Sequence, residues 1–224
     1  MARWGVCLSA ARSHPRGRRA ASVAIGALAL ALAAPAAASA APEALAVTAM
    51  ITVGSQPWGV AVNPVTGTAY VANFSSDTVS VISGRTNTVT ATIDVGSDPT
   101  QVAVNPVTDT LYVTDYNAGT VSVINARTNM VTDTITVGTE PEWIAVNPVT
   151  GTVYVGNEIS DTVSVISGRT NTVTATTPVG SGPQGVAVNP VTGTVYTDDN
   201  SGTTVSVISR SQHEGPIRIS PALL

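Results

Sequence analysis

The hexapeptide A-V-N-P-V-T occurs four times, with its asparagine at Asn63, Asn105, Asn147 and Asn189, so the chain repeats itself every 42 residues. Pro57, Pro99, Pro141 and Pro183 keep the same step, as do Tyr70, Tyr112, Tyr154 and Tyr196. A period of this length restricts a chain to a solenoid, a propeller or an array of like units, each too small to bury its apolar face alone. The content of one period decides among them. Between Gln56 and Gly96 four runs alternate apolar and polar residues: Trp58–Val62, Thr68–Ala72, Thr78–Ile82 and Thr88–Val95. N-P-V-T-G, N-F-S-S-D, S-G-R-T-N and G-S-D-P separate them as turns. The spacing of roughly ten residues per strand and turn is that of consecutive hairpins, and no run has helical periodicity.

Composition agrees with this reading. The 224 residues are 43% hydrophobic but only 11% charged and 4% aromatic, with 19 Gly and 14 Pro among abundant Val, Thr, Ala and Ser. Such a chain is too apolar for disorder and is suited to strands. In N-P-V-T-G the Asn side chain accepts backbone hydrogen bonds, Pro presets φ, and Gly relieves strain at the exit. Asn63 and its counterparts are therefore expected as turn formers. Ala61, Ala103, Ala145 and Ala187 recur in each first strand, and the Tyr of each second strand is expected to pack between repeats.

Four antiparallel strands per repeat make one propeller blade, so the expected fold is an all-β propeller of four 42-residue, four-stranded blades. Val47–Gly54 (V-T-A-M-I-T-V-G) aligns with Val89–Gly96 (V-T-A-T-I-D-V-G), whereas the last repeat keeps three strands to Ser209. One strand at the start and three at the end amount to one blade. Four arrangements are open: a ring closed by the terminal strands, which would remove exposed sheet edges, an open arc, a partial arc completed into a ring by a homo-oligomer, or a truncated product.

Residues 1–40 have the order of a secretory signal peptide: Arg3, Arg12, Arg16, Arg18 and Arg19, an apolar run over Ala20–Leu32, then small residues before a cut near Ala40/Ala41. Arg18-Arg19 leaves the twin-arginine route open beside ordinary secretion. Residues 41–46 form a short lead-in, 47–209 the repeats and 210–224 an irregular tail. Without the leader, five Arg face 14 acidic residues, a net charge of −9. That surface repels nucleic-acid phosphate, so no nucleic-acid partner is expected, and contact with membrane is expected only during export.

The motifs Y-V-A-N (Tyr70–Asn73), Y-V-T-D (Tyr112–Asp115), Y-V-G-N (Tyr154–Asn157) and a degraded Y-T-D-D (Tyr196–Asp199) resemble the YVTN-type β-propeller repeat family. The T-V-S-V-I, R-T-N and V-x-V-G elements match as well, over roughly residues 47–209. The resemblance implies a secreted, surface-layer-like or periplasmic protein with an undefined ligand.

Comparison of the four repeats locates the candidate site. N-P-V-T-[GD] and [SN]-[GA]-R-T-N hardly vary, whereas the loop between repeats and the loop after the Y-V-x-N motif are diversified. Antiparallel connections alternate ends, so both variable loops are expected on one face, as on a rigid recognition scaffold. Trp58, Phe74, Gln101, Tyr116, Glu140, Glu142, Trp143, Glu158 and Gln184 are the candidate ligand-binding residues, with the tryptophans as anchors; a role for Trp58 or Trp143 in capping the core is the alternative. The ligand expected is a protein or glycan at the cell surface.

Chemistry has little to draw on. The single Cys, Cys7, and His14 lie in the leader, and His213 in the tail, which excludes Cys-His, Ser-His-Asp and His-rich metal chemistry over the repeats. The expectation is no catalytic residue and no cofactor. Asp198-Asp199-Asn200 supply oxygens that suit Ca²⁺, without EF-hand spacing. A metal-dependent, lactonase-like hydrolase is the enzymatic alternative. Arg85, Arg127 and Arg169, one per repeat in the R-T-N turn, are read as solvated turn residues rather than a polyanion-binding ring.

Overall fold

The structure, a computed structural model, describes residues 45–209. The signal peptide expected over 1–40 and the tail carrying His213 lie outside the described residues. Among the described residues fifteen strands follow one another. The first repeat holds β1 (Pro57–Asn63), β2 (Thr68–Asn73), β3 (Thr78–Ser83) and β4 (Thr88–Asp94). The second holds β5 (Pro99–Asn105), β6 (Thr110–Asp115), β7 (Thr120–Asn125) and β8 (Met130–Thr136). The third holds β9 (Pro141–Asn147), β10 (Thr152–Asn157), β11 (Thr162–Ser167) and β12 (Thr172–Pro178). The last holds β13 (Pro183–Val188), β14 (Val195–Asp199) and β15 (Thr204–Ile208). Each repeat is thus one antiparallel meander, and the expected strands are met to within a residue or two.

The expected propeller is overturned. Among the described residues the strands form four separate sheets of four, four, four and three strands, and every strand-to-strand ladder lies within one repeat. The sheets do not close into a ring or an arc. Residues Val47–Val53, expected as the strand that completes the last sheet, belong to no strand, with Val47 and Met50 exposed. The physical reason is that alternation and turn chemistry act over neighbouring strands, whereas closure needs a ladder between residues some 150 positions apart in sequence, which no local signal enforces.

Side chains, not ladders, link the sheets. The first strands pack in order, β1 on β5, β5 on β9 and β9 on β13. Tyr70, Val79, Val81 and Ile93 of the first sheet meet Val102, Leu111, Val113 and Ile124 of the second in one buried cluster. Tyr112, Val121, Val123 and Ile135 meet Ile144, Val153, Val155 and Ile166 of the third sheet in another. The second strand of the second sheet, covered on both sides, carries apolar residues on both faces, as its buried neighbours Leu111, Tyr112 and Val113 show. The motif tyrosines pack between sheets as expected at Tyr70 and Tyr112, but Tyr196 is exposed.

Both ends of each sheet are held by local polar chemistry. At the constant end, Asn63 Oδ1 accepts from the amides of Val65 (2.9 Å) and Thr66 (3.4 Å), and Asn147 and Asn189 make the same pair of bonds. Asn105 Oδ1 accepts from Val107 (3.0 Å). These are the turn formers the sequence indicates. Asp109 takes the glycine position with φ 56° and accepts from Asn63 Nδ2 (2.9 Å) and Arg127 Nε (3.0 Å), which ties two repeats together. At the opposite end the last motif residue is buried between strands. Asn73 Nδ2 donates to Thr78 Oγ1 (3.1 Å) and Ser80 Oγ (3.0 Å), and Asn157 Nδ2 does the same with Thr162 and Ser164. Asp115 accepts instead, from Thr120 (2.9 Å) and Ser122 (2.7 Å).

Two outcomes follow from that corner. Burial pushes the Asp115 carboxyl from 3.8 up to about 6, against the pull of Ser122 and Thr120, so its charged form destabilises the fold. Stability is lost as pH rises from 3.8 through about 6 and stays lost above it. Asp115→Asn, the residue used at 73 and 157, is expected to stabilise the protein at pH 8 by on the order of 1–3 kcal/mol and to flatten that pH dependence, read as thermal midpoints from pH 4 to 8. A Cβ on Gly138 would fall 2.6 Å from Asn157 Cγ. Gly138→Ala is expected to cost roughly 1–3 kcal/mol by forcing that side chain out of place, measured by urea unfolding.

Candidate functional site

The two variable loops of each repeat lie together, as the alternation of antiparallel connections requires. Phe74 N–H donates to Gln56 O (2.9 Å), Tyr116 to Asp98 O (3.1 Å), Glu158 to Glu140 O (3.0 Å) and Asn200 to Gly182 O (3.0 Å). Adjacent repeats are joined at the same end. Asp77 Oδ1 accepts from Asp98 N (2.8 Å), and Asp161 Oδ1 from Gly182 N (2.9 Å). The residue before each recurring proline carries this load in the left-handed region, with φ 49° at Gln56, 54° at Asp98 and 53° at Glu140, where the fourth repeat has Gly182. Non-glycine residues there are strained, and such strain concentrates where a chain positions functional groups.

Five of the nine candidate residues converge. Tyr116 donates to Glu140 Oε2 (2.5 Å) and lies 3.4 Å from Glu158 Oε2; Gln184 Nε2 donates to Glu158 Oε1 (3.3 Å). Glu142 sits against Glu158, with Asp198 close enough to act on its charge. The cluster therefore draws on three repeats: Tyr116 from the second, Glu140, Glu142 and Glu158 from the third, Gln184 and Asp198 from the fourth. Burial first, then the charge of neighbouring Glu158 and its side-chain contact, then Asp198, push the Glu142 carboxyl from 4.5 up to about 7. Its Oε2 is buried and meets no partner with hydrogen-bond geometry. The bond to Glu140, burial and the charge of Glu158 raise the Tyr116 phenol, which stays protonated and donating.

The other four candidates stand elsewhere. Trp58 and Phe74 form a tilted aromatic pair with centroids 5.2 Å apart, at the first sheet. Gln101 turns back on itself, its Oε1 accepting from Val102 N (3.3 Å), and lies against Gly59 of the preceding sheet. Trp143 is exposed on β9, opposite Gly156. Trp58 is exposed too.

Two kinds of residue at the site were missed by inspection of the loops. Thr100 and Thr114 are buried hydroxyls 2.9 Å apart that donate to Glu142 O at 2.9 and 3.1 Å, so the second sheet holds the main chain of the cluster's central residue. Asp198, set aside for Ca²⁺, accepts from the amides of Gln184 (3.2 Å) and Gly185 and so fixes the turn that carries Gln184. The signal was in the motif itself: its third position is Ala72, Thr114, Gly156 and Asp198 in turn, a variable position inside an otherwise regular strand. Asp199 is committed to Thr204 (2.5 Å) and Ser206 (3.1 Å). Among the described residues no group of three His, Cys, Asp or Glu side chains is placed to hold a metal ion, and no helix is long and apolar enough to cross a membrane.

No family model matches the chain. A PE-PGRS family protein of Mycobacterium tuberculosis is 68% identical over 34 residues, which is 15% of this chain and 7% of that protein. Among solved structures the chain is similar to Kuenenia stuttgartiensis hydrazine synthase, with a TM-score of 0.63 and 25% identity over 73% of this chain and 48% of that one. It is also similar to a functionally unknown protein from Desulfotomaculum acetoxidans, with a TM-score of 0.59 and 19% identity over 67% of this chain and 50% of that one. The chain thus spans half the length or less of each. With the sheets themselves, these likenesses make it a repeat protein of antiparallel β-structure.

Proposed function

We propose that this chain is an exported, non-catalytic binding module of the YVTN-repeat type, which takes a protein or glycan ligand at the cell surface through the variable end of its sheets. The observation that carries the reading is the convergence of Tyr116, Glu140, Glu142, Glu158 and Gln184, from three different repeats, into one polar cluster on loops and the strand starts beside them. Few convergent polar groups on a preformed surface are what ligand recognition uses. Carboxylate and amide oxygens dominate the cluster, so it suits a ligand that offers ammonium, guanidinium or clustered hydroxyl donors. Exposed Trp58 and Trp143 add flat apolar area of the kind that anchors binding. Export follows the leader reading, with cleavage near Ala40/Ala41 into a periplasmic or surface location.

Glycan arrays and arrays of basic peptides, probed with the purified protein, test this. Trp143→Ala and Glu158→Gln are expected each to weaken capture by about tenfold or more with the thermal midpoint kept, whereas Arg85→Ala at the constant end leaves it unchanged. Binding is expected to strengthen by about three- to tenfold from pH 6 to pH 8, because Glu142 ionises near 7 and adds negative charge to the cluster. Capture that is equal in the wild type and both variants, or that is independent of pH, refutes the assignment of the site.

A further inference from the structure

The two outer faces of the row of sheets match the faces that are paired inside it. Tyr112, Val121 and Val123 cover the third sheet and are 1%, 0% and 1% exposed; the same positions of the last sheet, Tyr196, Val205 and Val207, are 47%, 59% and 59% exposed. At the other end Val60 and Val62 are 65% and 56% exposed, where the counterparts of Val60, Val102 and Ile144, are 5% and 8%. Each uncovered face therefore has the residues that its counterparts use to bind the other kind of face.

A second mismatch involves backbone. Among the described residues the last sheet stops at β15 and leaves its outer edge without a partner, while Val47–Val53 carries the sequence of an outer strand and belongs to no sheet. The segment is also aimed as an outer strand. Its Gly54 lies against Asn73 as Gly96 lies against Asp115 and Gly138 against Asn157, so the chain enters the first sheet as it enters the second and third, where β4 and β8 immediately precede.

We propose that copies of this chain assemble head to tail by strand donation. Val47–Val53 of one copy adds antiparallel to β15 of a second, and the Val60 and Val62 face of the donor covers Tyr196, Val205 and Val207 of the acceptor. The register is given by the internal sheets. Val79 lies opposite Ile93 and Val81 opposite Ala91 in the β3–β4 ladder, which sets Val205 opposite Ile51 and Val207 opposite Ala49. Main-chain bonds along a free edge supply affinity and the alternate side chains supply specificity. The occupant is a second copy because both halves of the interface already bind each other at the internal junctions of this chain. Donor and acceptor are different surfaces, so the contact is heterologous.

Light scattering of the purified full chain over about a tenfold range of concentration reads the association, whose extent follows mass action. The mass is expected to rise with concentration in whole multiples of one chain. Ile51→Pro removes the donor strand and Val205→Glu the acceptor, at positions outside the buried clusters, and unchanged thermal unfolding checks that both variants fold. Each variant alone is expected to remain monomeric, and an equimolar mixture is expected to give a one-to-one heterodimer and nothing larger, because one intact interface remains. A parent chain that stays monomeric throughout overturns the proposal and leaves the β15 edge to another occupant. Variants that associate as the parent does, or a mixture that stays monomeric, overturn it as well.

Discussion

Everything in this protein rests on apolar packing between consecutive sheets. A four-stranded antiparallel sheet of about 40 residues has too little core of its own to be stable in water. Tyr70, Val79 and Ile93 on one sheet and Val102, Leu111 and Val113 on the next supply what each lacks, and the second junction repeats the scheme with Tyr112 and Ile144. Because these contacts carry no ladder hydrogen bonds, they set the distance and order of the sheets without linking their edges. A stack held in this way is continuous in its interior and unsatisfied at its ends.

Polar corners divide the labour along each strand. Asn63 and its counterparts close one end by the same local turn, and Asn73, Asp115, Asn157 and Asp199 close the other by reaching the Thr and Ser of the next strand. With both ends locked by side chains that recur in every repeat, the loops beyond the second corner are free to differ. That freedom is where the chain places Tyr116, Glu140 and Glu158. The cost of crowding carboxylates shows in Glu142, whose proton is retained to about pH 7 by burial and by Glu158. Glu142→Gln removes that cost, along with the loss of stability that accompanies it as pH rises between 4.5 and about 7.

Much of the site was legible in the repeats, though not its membership. That both variable loops share an end follows from strand alternation, and the main-chain bonds from Phe74, Tyr116, Glu158 and Asn200 bear it out. Which variable residues meet does not follow. Tyr116 and Gln184 are 68 positions apart and come together through Glu158 only because three sheets stack in register. Trp58 and Phe74, equally prominent in the sequence, pair with each other at the first sheet. Thr100 and Thr114 escaped notice because a threonine in a strand reads as ordinary β composition until its hydroxyl is found under the main chain of Glu142.

The amino-acid sequence by itself determined the unit: a 42-residue meander of antiparallel strands, its turns, its two apolar faces and its constant and variable ends. These depend on alternation, Asn-Pro turn chemistry and spacing, all of which act within a few residues. Tertiary structure alone decided that the sheets remain separate, that the last has three strands among the described residues, and that Val47–Val53 pairs with none of them. It also decided which carboxylates share a site. Those outcomes depend on long-range packing and on whether distant edges meet, and a repeated sequence offers every copy of a strand the same partners, so pattern alone cannot choose between them.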